Sequence, residues 1–148
     1  SAYKDHIPNR FINMPSFRNR VLGLMLYLGK VNGFLQWGFN FYNSCLSYFP
    51  INPFVSTDAN GFFPAGDAFV VYTGKNGEPW ESLRLEVFFD AIQDRSALRL
   101  LESLTSRETA EKLVREAGVD IWNKYPTDGA AIKEIREKIN AAIKAAAK

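Results

Sequence analysis

Few side chains in this sequence have the type and spacing to do polar chemistry. Asp90 and Asp94 stand four residues apart, one helical turn, and could be taken for an acid/base pair. The same spacing suits two carboxylates that are solvated or salt-bridged on a helix surface. Arg84 and Glu86 lie beside Trp80 near a helix start, where paired charges more often anchor a loop as a structural ion-pair network than catalyse. Within residues 34–42, Trp37 offers a flat apolar ring, Asn40 an amide and Tyr42 a phenol. An aromatic face beside an amide could hold a hydroxyl-rich ligand, but Trp37 could equally be core and Asn40 a turn cap. Asp67, after Gly66, fits either ligand binding or turn chemistry.

Other chemistries find little support. His6 is the only histidine, so neither a Ser/His/Asp triad nor a multi-histidine metal site is expected. The single Cys45 excludes an internal disulfide framework and a thiolate cluster, and it leaves the compartment open. A net charge of +2, with no Lys/Arg cluster in the first hundred residues, gives no reason to invoke nucleic acid. The longest apolar run, 21–28, is too short to span a bilayer. No cofactor and no metal are expected.

The elements that would position these residues follow from periodicity. At 148 residues, 47% of them hydrophobic, the chain has the makings of a folded domain rather than a disordered segment. Its 14% aromatic content is concentrated between residues 34 and 80, where it must be buried or serve as a binding surface. Ser16 is placed to cap a helix over Phe17–Leu28, stopped by Gly29 and Gly33. Residues 34–42 alternate as a strand, with Leu35, Trp37, Phe39 and Phe41 on one face and Gln36, Gly38, Asn40 and Tyr42 on the other. A long, Pro- and Gly-punctuated loop over 43–66 leads to a short strand at 68–72 and a turn at 73–77.

A helix is then predicted from Ser82 to Leu104, with Val87, Phe88, Ala91, Ile92, Leu98 and Leu101 as core positions. Thr105 to Glu108 has capping-box spacing for a second helix that ends at Gly118. After a linker from Val119, Ile132, Ile135, Ile139 and Ile143 form the apolar stripe of a last helix, its end fraying beyond Ala141. This stripe suits packing better than a partner groove.

In order, Arg20, the run Gly33-Phe34-Leu35-Gln36-Trp37-Gly38-Phe39-Asn40, Gly66-Asp67 with Tyr72, Ser82-Leu83-Arg84-Leu85-Glu86, and Asp90-Ala91-Ile92-Gln93-Asp94 match a family pattern. The chain resembles the C-terminal part of the DUF4091 family, related to the catalytic domain of glycoside hydrolase family 123. The likeness covers residues 9–104, with Ala68, Thr73, Phe89, Ala91, Gln93 and Arg95 standing where the pattern has Gly, Pro, Arg, Gly, Glu and Tyr.

The resemblance implies an α/β fold, the C-terminal portion of a (β/α)8, TIM-like barrel. It would be helix-rich, with two short strands and extra C-terminal helices. Residues 1–118 would be the barrel portion and 119–148 a linker and amphipathic helix. Residues 34–41 would be the eighth strand, which places Trp37, Asn40, Tyr42 and Asp67 at the substrate rim, since barrel sites lie at the C-terminal strand ends. Arg84 and Glu86 would be a structural motif.

Family 123 enzymes resemble hexosaminidases in which an Asp-Glu pair orients the substrate's own acetamido nucleophile and donates a proton. This sequence contains no Asp-Glu dipeptide, so no catalytic residue is assigned. The expected function is therefore a contribution to a carbohydrate site in a hexosaminidase-like hydrolase, without catalysis by this chain alone. Expected partners are a carbohydrate, amino-sugar glycans included, and the remainder of the parent barrel. The alternatives are a self-standing carbohydrate-binding or protein-interaction module and a purely structural helical domain.

Overall fold

The computed structural model describes residues 7–147; His6 lies outside them. Among the described residues, five helices and a two-stranded antiparallel sheet make a helix-rich α/β arrangement. The chain divides into two compact units. A helical unit comprises the described parts of Ser1–Asn9, Pro15–Gly33 and Val87–Lys148, and so takes in residues 119–147. An aromatic unit comprises Arg10–Met14 and Phe34–Glu86. No helix among the described residues is long and apolar enough to cross a membrane.

In the helical unit, the expected helix over 17–28 forms as α1 (Ser16–Arg20) and α2 (Leu22–Leu28), with Val21 between them still in helical conformation. Pro15, not Ser16, is the N-cap, and no side chain caps this end. Proline at a helix boundary lacks only an N–H that the first turn leaves unbonded in any case. Every residue of α2 is buried. Gly23 permits a close approach to α3 (Leu83–Leu104), because an added Cβ would collide with the backbone of Ala91.

At the start of α3 the hydroxyl of Ser82 accepts from Leu85 N–H at 3.3 Å. Its buried stripe is Ala91, Asp94, Ala97, Leu98 and Leu101. Ile92, expected in the core, is exposed because it lies one residue, about 100° of helix rotation, from that stripe; Val87 and Phe88 are half-buried. α4 (Arg107–Glu116) is capped by Ser106, which accepts from Thr109 N–H at 3.1 Å. The cap is thus one residue later than the capping-box spacing indicated, and the Thr105 hydroxyl donates instead to Leu101 O at 2.7 Å. Gly118, at φ 86°, follows its end.

Asp128 caps α5 (Gly129–Ala146), whose Ile132, Ile135 and Ile139 are buried against α2, α3 and α4 in one continuous core, with Ile143 packed at its margin. The helix does not fray at Ala141: packing of Ile143 carries it to Ala146. The core also holds one ion. Asp94, 1% exposed, accepts from Arg20 of α1 at 2.8 and 3.2 Å and from Arg136 of α5 at 2.8 Å. Half-exposed Asp90 lies 3.7 Å from the same Arg20. The Asp90/Asp94 spacing therefore serves a salt-bridge node joining three helices, and the hydrogen bond to Asp94, ahead of the opposing desolvation, raises the Arg20 pKa.

In the aromatic unit, β1 (Val71–Thr73) pairs with β2 (Pro79–Glu81) around a turn at Gly74–Glu78. The strand expected at 68–72 is thus shifted toward the C-terminus. It gains a partner, β2, that the sequence did not signal, for all three β2 residues are exposed. Residues 34–42 do not form the expected strand. One antiparallel bridge, Asn40 to Phe69, is its whole ladder, and Leu35, Trp37 and Phe39 are exposed rather than on a buried apolar face. An alternating segment becomes a strand only where a neighbour takes up its backbone groups on successive residues. Residues 43–66 are a chain of turns, as expected, with one bridge from Asn43 to Pro50. The buried centre of this unit is small: Ala59, Ala68 and Phe69, rimmed by half-buried rings.

Candidate functional site

The sequence-predicted site residues all belong to the aromatic unit, and one arginine organises the backbone around them. Arg84 leaves the first turn of α3 and donates through Nη1 to Arg10 O and Gly66 O, both at 2.7 Å. Its Nη2 donates to Phe69 O at 2.8 Å and to the Tyr72 hydroxyl at 3.4 Å. A planar guanidinium suits this task, because its donors fan out in fixed directions toward several carbonyls at once. Burial lowers the Arg84 pKa, against the opposing pull of Tyr72 and Asp67. Glu86, expected to share a structural motif with Arg84, is exposed in the first turn of α3, where an acid favours the helix N-terminus.

The clamp explains the Gly66-Asp67 turn. Gly66 has φ 79°, and a Cβ there would come within 2.6 Å of Arg84 Nη1 and 2.7 Å of Ile12 Cγ1. Gly38 lies against the next residues: a Cβ would collide with Asp67 O and come within 2.6 Å of Ala68 Cα. Gly38 lets segments 36–41 and 66–70 run close, joined by Phe41 N–H to Ala68 O at 3.0 Å and Val70 N–H to Phe39 O at 2.9 Å, while Gly66 makes room for Arg84 and Ile12.

That approach brings Trp37 to Asp67. The indole Nε1–H donates to Asp67 Oδ2 at 3.2 Å. The Trp37 ring meets Phe63 edge-on at 5.0 Å and Phe41 at 5.7 Å, yet 46% of the residue stays exposed. Asn40 contributes its backbone to the bridge with Phe69, and its exposed side chain makes no hydrogen bond to another described residue. Tyr42 is engaged differently. Its hydroxyl donates to Val71 O at 2.6 Å and its ring tilts against Phe69 at 6.1 Å, so the phenol braces the start of β1.

Two residues not singled out from the sequence complete the arrangement. Arg10, 7% exposed, donates through Nε to Gln36 Oε1 and lies over the Phe34 ring at 4.9 Å. Gln36 Nε2 donates in turn to Asp67 O at 3.3 Å. Burial lowers the Arg10 pKa to about 10, with Asp67 opposing and Arg84 reinforcing the shift. Arg10 sits in an irregular stretch without periodicity, so nothing in the local pattern flags it. Gln36 is signalled only by its place beside Trp37.

The site is thus a half-exposed indole fixed by a carboxylate, an adjacent amide, and two cations behind them, Arg10 buried and Arg84 half-buried. It offers an apolar face and hydrogen-bonding groups side by side. Among the described residues, no three or more His, Cys, Asp and Glu side chains are grouped to hold a metal ion.

A family model, the glycoside hydrolase 123 catalytic domain, matches residues 1–101. The chain belongs to that family. The match takes in the whole aromatic unit and most of α3, and so every residue of the candidate site. The Arg84 clamp, the two close-approach glycines and the Trp37–Asp67 pair are therefore features of a glycoside hydrolase 123 chain. No curated protein matches it.

Proposed function

We propose that this chain contributes a carbohydrate-contacting surface to a hexosaminidase-like glycoside hydrolase and supplies no catalytic acid pair itself. The observation that carries this reading is the pairing of Trp37 with Asp67. The indole keeps an open face on which the apolar side of a pyranose ring could stack, with carboxylate and amide oxygens beside it for hydroxyl groups. Asn40 and Asp67 are the hydrogen-bonding groups of the surface, Tyr42 braces its floor, and Arg84 fixes its backbone.

In this reading the chain is the closing portion of a (β/α)8 barrel, and residues 34–41, which make a single bridge among the described residues, would complete their pairing against the remainder of the ring. The exposure of Phe34, Leu35 and Phe39 supports it, because an apolar patch of this kind is covered when the remainder of a fold packs over it. The acetamido-orienting Asp-Glu pair would then come from another strand.

Hydrolysis of a chromogenic N-acetylhexosaminide by the complete native protein tests the proposal. Trp37→Ala is expected to weaken transition-state binding by about 2 kcal/mol, close to thirtyfold in kcat/KM, and Asn40→Ala by about 1 kcal/mol. Full activity and unchanged substrate affinity in both variants would sink the sugar-site reading. The second reading, a binding module without catalysis, draws on the hydrogen-bonded clamp and hairpin that hold this surface together from within the aromatic unit. It predicts that the chain is retained on a glycan affinity column and releases no product.

A further inference from the structure

The helical unit carries a concentration of charge that the carbohydrate reading leaves unused. After α2 ends at Gly29, Lys30 turns the chain in the left-handed region at φ 56°, a conformation in which glycine is less strained. There a cavity of about 260 Å3 has charged lining residues of one sign only: Lys30, Arg95, Arg99 and Arg107, with Asn32 adding an amide.

Two of the four cations are already fixed. Arg95 Nη2 donates to Val31 O at 2.9 Å, and Arg107 Nη2 donates to Tyr27 O at 2.7 Å while its guanidinium lies 4.6 Å over the Tyr27 ring. Both bonds satisfy carbonyls at and just beyond the C-terminus of α2, where cations are favoured in any helix. Arg107 also pairs with Glu111 at 2.6 Å and Glu102 at 3.5 Å.

Helix capping does not account for the other two. Lys30 and Arg99 are exposed and make no side-chain hydrogen bond or ion pair with any described residue. Four cations against two carboxylates, both of them on Arg107, leave the cavity electropositive.

We propose that this cavity binds a small tetrahedral oxyanion, a sulfate or phosphate group, gripped by Lys30 and Arg99 against the fixed guanidinium of Arg95. Arg99 would present a planar fork to two oxygens and Lys30 a point charge to a third, while Asn32 donates from its amide. The cavity has room for the group and part of the molecule that bears it. The site is independent of the Trp37 surface, so it stands or falls apart from the carbohydrate reading.

Calorimetric titration of the whole chain with sodium sulfate, and separately with sodium phosphate, tests it, with ionic strength held constant by sodium chloride. Saturable binding of one ion per chain is expected. The double variant Lys30→Gly, Arg99→Gln should bind about tenfold more weakly, as befits the loss of two charge-assisted contacts at a solvent-open site. Its thermal midpoint should not fall, because neither side chain has a partner to lose and glycine suits the left-handed turn. Arg99→Gln alone gives the same comparison without altering the turn. Saturation by sulfate alone points to a sulfate ester, by phosphate alone to a phosphate ester, and by both to either. A non-saturating response, or equal affinity in wild type and both variants, would overturn the site and mean an adventitious ion only.

Discussion

The two compact units are held together by different physics. In the helical unit, side chains from α2, α3, α4 and α5 close over one continuous apolar core, and a single buried carboxylate joins α1, α3 and α5. In the aromatic unit only Ala59, Ala68 and Phe69 form a buried cluster, and many of the large rings around it stay half exposed. Order there comes from backbone carbonyls gathered on Arg84 and from two glycines that let segments pass at close range. Burial of apolar surface is non-directional and tolerant of detail, whereas a hydrogen-bonded clamp is directional and fails when one donor is lost. Where large rings stay half exposed the first contributes less, and the clamp carries more of the order.

Substitutions should break the two units in different ways. Asp94→Ala leaves Arg20 and Arg136 facing each other without their shared counterion. It should cost about 3–5 kcal/mol, read as a lower urea midpoint in helical circular dichroism. A loss below about 1 kcal/mol would mean the node behaves as a surface pair. Arg84→Lys keeps the charge but cannot reach three carbonyls in one plane. A local loss of about 2 kcal/mol is expected, seen as faster amide exchange in residues 66–72 with the amides of α5 unchanged. Equal loosening of both units would contradict the division drawn here.

Gly66→Ala forces a left-handed alanine against Arg84 and should lose about 1–2 kcal/mol, with altered Trp37 fluorescence as its local signature. The smallest effect concerns acid. Bonds from its own backbone N–H, from Asn76 N–H and from Trp80 Nε1–H hold the exposed Glu78 carboxylate below its usual pKa of 4.5. A depressed folded pKa contributes stability that is present above the unfolded value and lost as pH falls through the folded one. The Trp80 indole signal should therefore shift as pH drops below 4.5, and Glu78→Gln should abolish that transition while leaving the helical unit's acid response intact.

Legibility in the sequence followed the same divide. The α3 and α5 helices could be read because residues three and four apart share a face whatever surrounds them, and Ile132, Ile135 and Ile139 lie where that period puts them. The α4 cap was displaced by one residue, because Thr105 and Ser106 can both cap and only the helix entry chooses between them. Burial of Asp94 had no local signal, since it depends on arginines 74 and 42 residues away. The candidate site was half legible. Trp37, Asn40 and Asp67 stood out by type, but the contact between Trp37 and Asp67 depends on Gly38 and Gly66 meeting partners distant in the chain.

By themselves, the residues determined what is periodic or chemically singular: the long helices, the turn glycines, the absence of an Asp-Glu pair, and an aromatic stretch with an amide and an acid nearby. Tertiary structure alone decided that residues 34–42 make one bridge and not a strand, that Arg84 holds carbonyls, and that Asp94 is a core ion. A helix satisfies its backbone within one segment, so its pattern is written locally. A strand, a guanidinium clamp and a buried charge are completed by groups far along the chain, and only the fold brings those groups within reach.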